Sequence, residues 1–317
     1  MERDASQPTE AVATALRHRP GTATAGGVPT DPADVGAGTA GQGGRHHHHR
    51  HHRARWVLTG AGVVLVAAGA TFAYLWTHSG AHALPTSVAI ERFRQEVGPA
   101  GAGNADGPAA GVYRYQGSGT ETLSVPPKSQ SEGPGVPGTV VYRDGCFDFR
   151  LDYSDAHWQS WDYCVRGGAL VSPSRAGYYN WDFVAFHADD TSTFTCRPSV
   201  TAVPAAIVKG RSARVACTGR NNHLATGKVF MDGTSTVART GTIPVGNQRV
   251  PAVLVREHVT FSGGQSGSNL ADTWFDVTTG LPLKGTWHTD VSTPSPFGTS
   301  TLDAHGDFAL SSLTPIR

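Results

Sequence analysis

Residues 45–53 read Arg-His-His-His-His-Arg-His-His-Arg. Six imidazoles in that space, His46, His47, His48, His49, His51 and His52, could chelate Zn2+, Ni2+ or Cu2+. The interrupting arginines and the apolar run that follows favour a second use, a basic segment whose partly protonated histidines and arginines attract anionic lipid headgroups. Four cysteines, Cys146, Cys164, Cys196 and Cys217, are separated by 18, 32 and 21 positions, without the paired C-x-x-C spacing of a zinc site. An even number of cysteines on the oxidising side of a membrane reads as two disulfides. Three connectivities are open, and the local pairs Cys146–Cys164 and Cys196–Cys217 are favoured because each joins neighbouring predicted strands.

Catalytic motifs are missing. Gly264-Gln265-Ser266-Gly267 falls short of the G-x-S-x-G elbow, and Glu257-His258 stands without the rest of H-E-x-x-H. Asp303-Ala304-His305 and Asp189-Asp190 read as solvated polar loops. A hydrolase would need His258, His288 or His305 to gather with carboxylates in one cleft. No cofactor is implied, and the chain reads as a non-enzyme.

The aromatic residues are more informative. Trp158, Trp161, Tyr163, Tyr178, Tyr179, Trp181, Phe183 and Phe186 fall within 29 residues. Such a concentration builds core or lines a pocket for an apolar or carbohydrate ligand. Trp158, Trp161, Tyr163 and Trp181 are the expected pocket residues.

The elements that must position these groups divide the chain. Residues 1–55 hold few large apolar side chains, with Val12, Leu16, Val28 and Val35 isolated among Gly, Ala, Thr, Pro and Asp. They cannot bury enough surface to offset the entropy of ordering, so a disordered cytoplasmic tail is expected. Residues 56–76, WVLTGAGVVLVAAGATFAYLW, carry no charge and are bounded by tryptophans. At 1.5 Å per residue they span roughly 31 Å, the thickness of a bilayer's hydrocarbon, and predict a transmembrane helix. Residues 45–55 hold four Arg and 77–86 hold no Lys or Arg, which places the N-terminus in the cytoplasm and the C-terminal domain outside. An uncleaved signal anchor is favoured over cleavage at Ala81-His82-Ala83, because the apolar run is long and follows an extended tail. Charge is nearly balanced, at a net +1, which excludes a clustered basic footprint for nucleic acid.

Residues 77–111 should form a short helix over 85–97 and a Gly-rich linker. From residue 112 to 317 the pattern becomes short period-two segments between Gly, Pro, Asn and Asp. Phe147, Phe149, Leu151 and Tyr153 alternate with Cys146, Asp148, Arg150 and Asp152, a half-buried strand. Ten further segments read similarly, among them 158–164, 191–196, 253–261 and 284–290. Together they predict a mainly β, antiparallel extracytoplasmic domain.

Residues 272–283, Asp-Thr-Trp-Phe-Asp-Val-Thr-Thr-Gly-Leu-Pro-Leu, carry a W-x-D-x-x-T-G-L-P pattern. It describes a strand, a Thr-Gly turn with positive φ at Gly280, and a return strand from Pro282. This hairpin resembles that of LolA-like proteins of the LppX/LprG type, and the resemblance covers about 70 C-terminal residues. It implies a curved sheet or half-barrel with a concave apolar cavity, hence lipid or lipoprotein handling. The expected function is a membrane-anchored binding module for a lipid or other apolar ligand. An envelope protein partner with a sensory role is the rival reading, and an unrecognised hydrolase the third.

Overall fold

The computed structural model describes residues 80–97, 107–183, 186–223, 225–295 and 298–317. Helix α1 (Thr86–Val97) buries Ala89 and Phe93, four residues apart on one face, and the Pro85 carbonyl accepts the Val88 N–H at 2.9 Å. Thirteen strands follow: β1 (Gly111–Ser124), β2 (Pro127–Glu132), β3 (Gly135–Arg143), β4 (Cys146–Asp152), β5 (His157–Arg166), β6 (Ala169–Asp182), β7 (His187–Val203), β8 (Ser212–Asn221), β9 (Val229–Val245), β10 (Gln248–Gly263), β11 (Ser266–Asp276), β12 (Pro282–Ser295) and β13 (Gly298–Leu310). Each of β3 to β13 pairs antiparallel with its neighbour in sequence.

The ends of this meander meet. One side of β1 pairs with β3 from Gly111↔Val140 to Gln116↔Gly135, then with β2 from Gly119↔Glu132 to Ser124↔Pro127. Its other side pairs with β13 from Tyr115↔Leu310 to Leu123↔Leu302. The twelve strands β1 and β3 to β13 thus form a closed ring, with β2 extending the wall beside β1. This corrects the half-barrel: an open curved sheet would leave β1 and β13 as edges, and here they bond to each other.

The single-pass membrane arrangement expected from residues 56–76 has no described helix to carry it. Among the described residues no helix is long and apolar enough to cross a membrane, and α1 has 12 residues. The segment 56–76, the tail 1–55 with its His46–His52 tract, and most of the linker before β1 lie outside the described residues.

Alternation sorts the side chains. Along β12 Leu283, Trp287, Thr289 and Val291 are buried, while Lys284, Thr286, His288 and Asp290 are exposed. The inner positions of most strands merge into one core that includes Tyr113, Tyr115, Phe149, Tyr163, Val253, Phe275, Leu283 and Phe308. Cys146 bonds Cys164 across β4–β5 with Cα atoms 4.3 Å apart, and Cys196 bonds Cys217 across β7–β8 with Cα atoms 3.9 Å apart. Both are direct cross-strand partners.

The β11–β12 turn matches its sequence pattern. Asp276 accepts the Thr278 N–H at 2.9 Å and the Thr279 hydroxyl at 2.7 Å, and its carbonyl takes the Gly280 N–H at 2.9 Å. Gly280 has φ 74°, and a Cβ there would meet Leu170 at 3.1 Å. Gly280→Ala should therefore lower stability by about 1–2 kcal/mol through the left-handed backbone alone, a loss that chemical denaturation would read.

On the outer face Asp148 and Asp162 are direct partners across β4–β5. Burial, then the like charge of Asp162, push Asp148 up to about 7, against the opposing pull of Arg143 and Arg150. The folded state therefore holds this proton more tightly than the unfolded chain, so the protonated form adds stability that is lost as pH rises from about 4 to about 7. Asp148→Asn should raise Tm relative to the parent at pH 8, with the gain shrinking as pH falls through that window. A series of thermal melts between pH 4 and 8 checks both the sign and the window.

Candidate functional site

In a meander the hairpin turns alternate between the two ends of the strands. The β1–β2, β6–β7, β8–β9, β10–β11 and β12–β13 turns therefore share an end, and each borders one cavity, through Pro126, Phe183, His223, Gln265 and Ser295 respectively. The cavity occupies about 400 Å³ inside the barrel, within a mainly apolar wall. That lies inside the usual range of small-molecule pockets, about 300–1,000 Å³. Aromatic rings floor it. Tyr115 meets Phe149 at 6.0 Å and Phe308 at 5.8 Å, and Tyr163 meets Phe275 edge-on at 6.0 Å. The Tyr115 hydroxyl donates to the Pro282 carbonyl at 2.7 Å, which satisfies it beneath the floor.

Three of the four aromatics expected from the sequence border this space. Trp161 and Tyr163 reach it from β5 and Trp181 from β6, with Trp161 stacked on Phe149 at 6.1 Å. Trp158 is on the other face of β5. It stacks on Tyr178 at 6.0 Å, under the Arg150 guanidinium at 4.1 Å, and does not line the cavity. The alternation of β5 decides this: His157, Gln159, Trp161 and Tyr163 share the inner face, and Trp158 falls between them. Tyr153, Tyr179, Phe275 and Trp287 also line the wall. Of these only Tyr179 fell within the aromatic concentration, since the others are brought in by strands distant in sequence.

Three polar groups sit in or behind the apolar wall. Arg175 on β6 forms a bidentate pair with Glu257 on β10, Nη1 to Oε1 at 2.5 Å and Nη2 to Oε2 at 3.1 Å, across 82 residues of sequence. Burial works against the guanidinium charge, but Glu257 outweighs it and raises the Arg175 pKa. Arg175 Nε has no hydrogen-bond partner among the described residues. Nearer the mouth, Asn221 donates to Asp190 at 2.6 Å and to Ser192 at 2.8 Å.

The third polar group, behind the wall, is fully buried. Glu121 of β1, Glu132 of β2 and His157 of β5 converge, with side-chain exposures of 0%, 1% and 0%. His157 Nδ1 bonds the Glu132 carboxylate and lies 2.7 Å from Glu121 Oε1. Its ring is clamped between Tyr153 at 4.8 Å and Tyr179 at 4.2 Å, with Trp287 edge-on at 5.5 Å. Burial disfavours the imidazolium, yet the two carboxylates prevail and hold His157 up at about 9. One ligand atom from each residue falls within 4.8 Å of the others, so the group could hold a metal ion. No motif spacing announced it, because the three residues come from separate strands.

The histidines that a hydrolase would need are elsewhere. His288 and His305 approach Asp303 at 3.5 and 3.9 Å on the outer face of β12–β13, each more than half exposed, with side chains at 56% and 62%. His258 on β10 is opposite Leu270, which is opposite His288, so the three histidines lie in one row across the exposed outer face.

Breaking the lumenal ion pair tests its role. Glu257→Gln leaves the guanidinium bordering the cavity without its counter-ion and should cost about 3 kcal/mol in urea unfolding. The double change Arg175→Met with Glu257→Leu should recover most of that loss.

No family model matches the chain, and no curated protein matches it. Among solved structures, the hypothetical lipoprotein YmcC from Escherichia coli K12 aligns at 11% identity over 63% of this chain and 86% of that one. Its TM-score of 0.31 is too low to bear on this chain's architecture or role.

Proposed function

We propose that the barrel is a binding module that holds an apolar or amphipathic small ligand in its lumen and does no chemistry on it. The observation that carries this reading is the cavity of about 400 Å³, floored by aromatic rings and bordered at one end by five hairpin turns. An apolar chain placed there gains roughly 25 cal/mol per Å² removed from water. The Arg175–Glu257 pair supplies donors and acceptors within that wall, suited to a polar headgroup on an otherwise apolar molecule. The LolA-like resemblance of the β11–β12 hairpin supports lipid as the ligand class, although the closed ring departs from that family's half-barrel. The rival reading, an envelope protein partner, finds no observation that favours it over the lumen.

Titration of a delipidated chain with a long-chain fluorescent fatty acid tests the reading. Ala271 lines the cavity from β11, and Ala271→Trp would fill part of it. Saturable one-to-one binding by the parent, weakened at least tenfold in Ala271→Trp with Tm little changed, is expected. Undiminished binding in that variant, or no binding by the parent, rules the lumen out as the site.

A further inference from the structure

We propose that Glu121, Glu132 and His157 bind one divalent cation of the Zn2+ class, which ties the β1–β2 hairpin to the start of β5 inside the barrel wall.

The first argument is the donor count. A neutral or protonated imidazole has one Nδ1 position, and both carboxylates point at it. Its proton serves Glu132, while Glu121 Oε1 stays at 2.7 Å without an aligned hydrogen bond. Glu132 Oε2 is equally buried and equally without one. A proton satisfies one acceptor along one line, whereas a cation accepts several oxygens and a nitrogen around a point.

Charge gives the second argument. Two carboxylates sit side by side in a fully buried place, and among the described residues the cationic group acting on both is His157. Buried charge without compensation is costly. Without a metal, one proton on the imidazole and another between the carboxyls are needed for neutrality. A divalent ion neutralises both carboxylates at once and leaves the imidazole neutral, its ligating form.

The surroundings supply what such a site needs. Gln130 Nε2 donates to Glu121 Oε2 at 2.5 Å and orients that carboxylate. Gln159 lies 3.2 Å from His157 Nε2. With the amide turned so that its oxygen faces the ring, it accepts the Nε2–H that an Nδ1-bound metal requires. The stacked rings of Tyr153 and Tyr179 hold the imidazole plane. Two carboxylate oxygens and one nitrogen make a three-residue donor set, with the fourth tetrahedral position left to water. Tyr153, Gln159, Tyr179 and Trp287 line the cavity and separate the cluster from it.

The six histidines before residue 53 could chelate Zn2+ independently of this cluster, so the test removes them. A full-length H46S/H47S/H48S/H49S/H51S/H52S chain is stripped with EDTA, given ZnCl2 and desalted, and its zinc content and Tm are measured. One equivalent retained after desalting, with Tm raised by roughly 5–10 °C once free Zn2+ is returned to a hundredfold excess over Kd, supports the site. Glu132→Gln on this background should lose the equivalent and the Tm gain. No retained zinc in the histidine-free chain, or full retention after Glu132→Gln, overturns the proposal. Should Glu132→Gln fail to fold, Co2+ substitution of the histidine-free chain decides. Intense visible d–d bands of a tetrahedral N/O site support the proposal, and their absence overturns it.

Discussion

The ladder between β1 and β13 is the contact on which the remaining structure depends. It joins residues near position 115 to residues near 310, so closing it carries the chain entropy of bringing together segments that nothing local holds in place. Hydrogen bonding along the whole ladder and the aromatic layer of Tyr115 with Phe308 offset that cost. The ladder also removes two sheet edges that would otherwise template pairing with other chains. The lumen exists because of it: opened at this seam, the wall around the cavity would become a solvated face.

Closure explains why the interior tolerates polar groups. A ring of twelve strands is too wide for side chains to fill throughout, so the floor is packed with rings and the upper part stays hollow. Polar side chains placed there are either paired, as Arg175 with Glu257, or gathered, as Glu121, Glu132 and His157. The two arrangements differ in kind. The ion pair borders the cavity and can present donors to whatever enters. The carboxylate cluster lies behind Tyr153 and Tyr179, where it can act on the wall and not on a ligand directly. The two disulfides staple adjacent strands directly, each between cross-strand partners.

Much of the strand content was legible from period-two alternation, as in β4, where Phe147, Phe149 and Leu151 face inward. The β11–β12 turn was legible too, because Asp276, Thr279 and Gly280 act within a few residues of one another. Strands β2 and β6 were not, since Pro127 opens one, while Pro173 and Gly177 interrupt the pattern of the other. Of the four aromatics that their density singled out, Trp161, Tyr163 and Trp181 border the cavity. Trp158 was misplaced because density ignores which face of a strand a residue occupies.

The amino-acid sequence by itself determined what short-range physics governs: alternating strands, turn chemistry, helix α1 and a cysteine spacing that suits neighbouring hairpins. Tertiary structure alone decided that the sheet closes instead of curving open, because that rests on β1 meeting β13 across nearly the whole domain. It also decided which polar residues meet. Arg175 and Glu257, or Glu121 and His157, carry no mutual signal in sequence, and only the register of a closed ring brings them within bonding distance.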